Sequence, residues 1–166
     1  MGRITDAMKA YFRSEGWEGQ EPEEGVLVFR FEDELGHQWG CLAIAHEDAE
    51  QLAFYSVILT QVPEARRAEV TNFIMRTNYG MQVGNFEMDL DDGEIRFKTS
   101  VDVENAELTN ALCDNLVSLN LMITGTYFDG LMSVITGEKR ALEVVGVLDD
   151  PDDDDDESDD EDDSDD

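Results

Sequence analysis

The chain has 166 residues, 41% of them hydrophobic, and a formal net charge of −30. That suits one ordinary domain with a sizeable core, and only three lysines and eight arginines, without a basic stripe, argue against direct binding to nucleic acid or an anionic membrane. No apolar run approaches a membrane span, MGRITDAMKAYF lacks a signal-peptide core, and Cys41 and Cys113 are too few for a disulfide framework or a Cys-based zinc site, so a cytoplasmic protein is expected.

Ile4, Met8, Tyr11 and Phe12 fall at helical spacing, and Gly16 stands where such a helix would stop. After a polar stretch from Glu18 to Gly25, VLVFRFEDELGHQWGCLAIAH reads as two strands around a Gly36 turn. QLAFYSVILTQV supplies a third, completing a meander whose near-continuous apolar character implies one face against helices and the other partly covered. Pro63 opens a second helix, marked by Val70, Phe73, Ile74 and Thr77, that finishes near Asn78 to Gly80.

GNFEMDLDDGEIRFKTS follows, with Asp89, Asp91, Asp92 and Glu94 crowded before and after Gly93. A calcium loop with Gly93 at its sixth position puts Met88 and Leu90 at ligand positions and Thr99 where the closing Glu belongs, so that reading fails. A hairpin turning on Asp92–Gly93 fits better. It opposes Leu90 to Ile95, Met88 to Phe97 and Phe86 to Thr99 on one face, and Asp89 to Arg96 and Glu87 to Lys98 on the other. Asp91 against Glu94 is its one like-charge pair.

From Asn105 an apolar stripe runs through Leu108, Leu112, Leu116, Leu119, Ile123, Tyr127, Leu131 and Ile135, a helix of about 30 residues and ~45 Å. Leu121, Met122, Phe128, Met132 and Val134 lie off the stripe, leaving more apolar circumference than one sheet covers. Self-association would bury the remainder; Gly125 and Gly130 could instead kink or split the helix. EVVGVL could add an edge strand. Residues 149–166 hold 15 acidic and no basic side chains and are expected to be a disordered tail behind a 1–148 domain. The tail either steers a basic partner or keeps the chain soluble.

The expected fold is thus α+β: an antiparallel sheet of about five strands with three helices, in the order helix, three strands, helix, hairpin, long helix. The segment RTNYGMQVGNFEMDLDDGEIRFKTSVDVE resembles the YbjN family of bacterial and related proteins, over roughly residues 3 to 140. The features that carry it are the Asn-Tyr-Gly turn at 78–80, the Gly-Asn-Phe-Glu strand at 84–87 and the Asp-Gly-Glu turn at 92–94. The resemblance implies a fold like that of class I type III secretion chaperones, often homodimeric, in a protein called a sensory transduction regulator that acts by binding other proteins. It brings no catalytic residues to carry over, and the acidic tail departs from it.

No nucleophile elbow or phosphate loop is present, and Cys41 lies in an apolar strand where thiols are inert. Trp17 and Trp39 suit the core better than a partner anchor. The expectation is a non-enzymatic protein-binding module, chaperone-like or regulatory, that needs no cofactor or metal. Leu112, Leu119, Ile123, Tyr127 and Leu131 form its partner or dimer face. One alternative is a metal- or small-molecule-binding sensor or enzyme using His37, His46 and the carboxylates of Glu34, Glu47 and Asp48. Another is an acidic mimic of nucleic acid.

Overall fold

The computed structural model describes residues 2–149. Helix α1 (Arg3–Ser14) is followed by β1 (Gln20–Glu23), β2 (Val26–Glu32), β3 (Gln38–His46) and β4 (Gln51–Val57). Then come α2 (Arg67–Asn78), β5 (Asn85–Met88), β6 (Ile95–Asp102), α3 (Asn110–Thr136) and α4 (Ala141–Asp149). All strand pairs are antiparallel, in the order β1-β2-β3-β4-β6-β5.

The α+β class and the β2–β3–β4 meander are as expected. The sheet has six strands rather than five, because the polar stretch before Gly25 contains β1, four exposed residues that pair with β2 through an irregular register. No apolar alternation announces such a strand; its neighbour's free edge creates it. There are four helices rather than three among the described residues, because the EVVGVL segment is helical in α4. Its valines favour strands, but Ala141 and Val144 are buried against other elements, and tertiary burial overrides so weak a preference.

The long helix begins at Asn110, not near Asn105, whose φ of 59° is left-handed. The Thr109 hydroxyl caps it, accepting the Leu112 N–H at 3.2 Å. It then runs unbroken for 27 residues, so neither Gly125 nor Gly130 splits it. Pro63 opens a short 3-10 turn, Glu64–Arg66, ahead of α2 rather than α2 itself.

The hairpin differs in register. Met88 opposes Ile95, Glu87 opposes Arg96, Phe86 opposes Phe97 and Asn85 opposes Lys98, two residues away from the pairing expected of an Asp92–Gly93 turn. The loop is Leu90 to Gly93, closed by the Asp89 N–H to the Glu94 carbonyl and the Gly93 N–H to the Asp89 carbonyl, both at 2.8 Å. Leu90 is therefore exposed rather than set against Ile95, and the like-charge pair beside the turn is Asp89 with Glu94.

Helices α1, α2 and α3 pack on one face of the sheet, and α4 packs on α2 and α3. Along β2, β3, β4 and β6, Phe29, Cys41, Ser56 and Phe97 form one row on that face, and their neighbours in sequence point the other way. The core has two parts: one joins α1 to β2–β4 and the first half of α3, the other joins α2, β5, β6 and α4 to its second half. Asn120, fully buried at mid-helix, pins α3 between them. Its two amide hydrogens are shared among the carbonyls of Phe54 and Phe97 and the Thr99 hydroxyl, each 3.1 Å from the nitrogen, and its oxygen accepts from Ser56 at 2.6 Å. The expectation of a disordered 149–166 tail lies, apart from Asp149, outside the described residues.

Candidate protein-binding surface

Because the helices share one face, the opposite face of the sheet carries no helix. Its apolar centre is Val28, Leu42 and Tyr55 in one row, with Val26, Ile44 and Ala53 beside them and Val57 in the next row. Leu59, 63% exposed, hangs beside Gly40, in a gap that a side chain there would narrow. Toward β6 the face becomes charged. The Arg96 guanidinium lies 4.5 Å from the Tyr55 ring centroid, and Glu87 bridges Arg96 at 2.9 Å and Lys98 at 2.7 Å. Burial alone would raise the Glu87 pKa, but hydrogen bonds from Lys98 and Arg96 hold it below the usual range.

The edges of this sheet are blunted, which directs attention to its face. At the β5 edge, the Asn78 side chain at the end of α2 accepts the Phe86 N–H at 2.8 Å and donates to the Phe86 carbonyl at 3.0 Å. A side-chain amide thus stands where another strand would pair. The Asn-Tyr-Gly and Gly-Asn-Phe-Glu features are the two halves of this contact, which spacing alone did not show. Across the sheet, β1 is four exposed residues that include Pro22, which has no N–H to offer.

The expected partner face on α3 is only partly outward. Leu112 is 36% exposed, and Leu119 is half-buried. Ile123 and Tyr127 pack partly against the second core, with Tyr127 edge-on to Phe73 and Phe86. Leu131 is 1% exposed and belongs to the core, which corrects its placement on an outward face. The apolar surplus of α3 meets α1, α2 and α4 as well as the sheet; sequence showed the surplus but not how many elements would share it. Trp39 is buried, and Trp17 packs among Phe12, Phe29, Phe31 and Phe54.

The remaining candidates resolve into structure. His37 precedes β3 and His46 is its last residue, about 30 Å apart at strand rise, so they cannot share a metal. Among the described residues no cluster of His, Cys, Asp and Glu could hold one. His37 is instead a bridge: Nδ1 meets Asp33 Oδ2 at 2.8 Å, Nε2 meets Asp129 Oδ1 at 3.0 Å, and the ring stacks on Phe128 at 4.5 Å. Burial alone would lower its pKa, but Asp33 and Asp129 together raise it above the ordinary value. Burial pushes the thiols up, Cys41 to about 12 and Cys113 to about 11, which leaves both inert.

The acidic turn is likewise architectural. Asp89 Oδ1 accepts the Asp91 N–H at 2.8 Å and Asp92 Oδ1 accepts the Glu94 N–H at 2.7 Å, so two of its carboxylates shape the loop. Gly93, at φ 80°, sits against the Val62 backbone where a side chain would clash, and its carbonyl accepts the Val62 N–H at 2.8 Å. Arg67 clamps the loop from α2, donating to the carbonyls of Val62, Leu90 and Asp91.

Residues 5–132 match the family model of YbjN, described as "Putative bacterial sensory transduction regulator". Among solved structures, the fold is similar to that of YbjN from E. coli, with TM-score 0.51 and 10% identity over 86% of this chain and 90% of that one. It is also similar to a chain of the ExsC–ExsE complex, with TM-score 0.50 and 12% identity over 76% of this chain and 94% of that one. A chain of the HopA1–SchA chaperone–effector complex aligns more loosely, at TM-score 0.41 and 11% identity over 80% of this chain and 89% of that one. No curated protein matches the sequence. The α+β fold that the chain shares with the first two of these structures is thereby shown.

Proposed function

Since this chain belongs to the YbjN family, we propose that it works in the cytoplasm by binding another protein on the open face of its sheet, as a chaperone-like or regulatory module without catalysis. One observation carries the reading: a sheet face with no helix over it leaves Val28 exposed and Val26, Leu42, Ile44 and Val57 half-buried around the buried Ala53 and Tyr55, while both edges are blunted. A partner is then met by side chains across the strands rather than by an added strand. The ExsC–ExsE complex, in which a chain of similar fold is found with a second protein, supports the same class of function. The acidic residues of 149–166 serve solubility or steer a basic partner, through an attraction that weakens as salt rises.

A second copy on the outward side of α3 is the competing occupant, favoured by Leu112 and by Met122, which is 59% exposed. The test is capture of partners from cell extract by the full chain and by Leu42→Glu with Val57→Lys, at low and high salt and with and without residues 149–166. Both substituted positions are on the open face and only half-buried, so folding should survive. The expected result is loss of the captured protein by about tenfold or more. Capture that ignores these changes but disappears with Leu112→Glu and Met122→Glu, alongside a dimer in light scattering, would move the interface to α3.

A further inference from the structure

The last helix is the least self-sufficient element of this fold. α4 has nine residues, fewer than the ~12–15 an isolated helix needs, and contains Gly146 and three valines. It ends at Asp149, where a segment with 15 carboxylates in 18 residues begins. Negative charge at a helix C-terminus opposes the helix dipole. Its other end is tied: the Ala141 N–H donates to Glu69 Oε1 on α2 at 2.7 Å, and the Arg140 N–H donates to Glu143 Oε2 at 2.6 Å. What holds α4 down is therefore its start and its packing.

That packing is close in one place and incomplete in another. Val144 sits over Gly130 of α3, where an added Cβ would come within 2.5 Å of Val144 Cγ1. Beyond it, Val145 borders a cleft lined also by Arg76, Thr77, Met81 and Tyr127. Thr77 is only 6% exposed, and its hydroxyl has no hydrogen-bond partner. Buried polar groups are seldom left this way, and Val145 offers nothing that could answer it. The family match, moreover, ends at residue 132, before α4 begins.

We propose that α4 is a releasable cover seated in a helix-docking groove between α2 and α3, and that the occupant which replaces it is an amphipathic helix of the protein partner. That helix would place a small apolar residue over Gly130 and a hydrogen-bonding group within reach of Thr77. The partner half of this proposal rests on the protein-binding reading above. Repulsion between the carboxylates beyond Asp149 and the acidic body loosens the cover at low salt, and screening reseats it.

The test uses the full chain carrying Gly130→Cys and Val144→Cys. A Cβ at 130 lies 3.9 Å from the Val144 Cβ, a spacing that disulfides adopt, and the buried native thiols do not compete. In hydrogen exchange, the amides of 141–146 should open about tenfold or more faster than those of 113–124 when the pair is reduced, with opening slowed by salt. Oxidation should abolish the difference. A labelled peptide of residues 139–149 should bind the reduced chain and not the oxidised one.

Amides of α4 that exchange no faster than those of 113–124 and ignore salt would overturn the cover. Amides that open while the peptide stays unbound would overturn the docking groove. If the cysteine pair fails to fold, Gly130→Ala should speed exchange of 141–146 alone; exchange unchanged there, or raised everywhere, counts against the cover. None of these readouts involves the open sheet face, so failure here leaves that reading intact, whereas failure of the capture experiment removes the partner half and leaves the cover and its groove.

Discussion

At the scale of single residues, His37 ties the stability of the fold to pH. Both ring nitrogens face carboxylates, and only the protonated ring can donate to Asp33 and Asp129 at once. Its pKa is raised in the fold, so the stabilisation is fully present below the unfolded value of about 6.5 and is lost as pH rises through the folded value. Melting temperature should therefore fall on going from mildly acidic to mildly alkaline buffer, and His37→Gln should flatten that step. A wild-type profile that matches the variant's would rule the bridge out as a source of stability. The effect is modest, because Asp129 is 83% exposed and water screens it. Sequence marked His37 by its type and by nearby acids, but Asp129 is 92 positions away in sequence, and nothing local could join them.

At the scale of elements, α3 is placed by a polar residue inside its apolar run. Asn120 closes a buried network with Ser56, Thr99 and two strand carbonyls, and truncating it orphans several of these groups at once. Asn120→Ala should cost at least about 3 kcal/mol, read as a lower urea midpoint at unchanged slope. A loss under about 1 kcal/mol would mean that water replaces the amide. The Asn amid SLNLMIT is a visible signal of this kind, to which apolar periodicity is blind. The hairpin shows a different limit. Alternation assigned Phe86, Met88, Ile95 and Phe97 to one face, and they occupy it. Alternation is blind to a shift of two residues, since that preserves every face. The register was settled by the Asp89 and Asp92 bonds and by docking of the loop on Val62 and Arg67.

At the scale of the whole molecule, the strands and helices with strong apolar periods were legible, and what escaped was their mutual arrangement. β1 needed a neighbour's edge, α4 needed a groove, and the surplus on α3 was divided among three helices and the sheet. The near-continuous apolar runs of the meander imply a second face that is partly covered, but no helix lies on it, because a run of apolar residues reads the same whether or not a second layer sits above it. The Asn78 contact with Phe86 has its consequence at this scale too, in how the protein ages in solution. Strand edges recruit one another between molecules, and this amide quarantines β5 from that chemistry. Asn78→Ala should cost only about 1–3 kcal/mol yet shorten the lag before fibrillar, dye-positive aggregates form on incubation. An unchanged lag at a matched loss of stability would show that the edge is protected by charge alone. With the lag shortened, a side chain at the end of a helix governs not what the protein binds but how long a concentrated sample of it lasts.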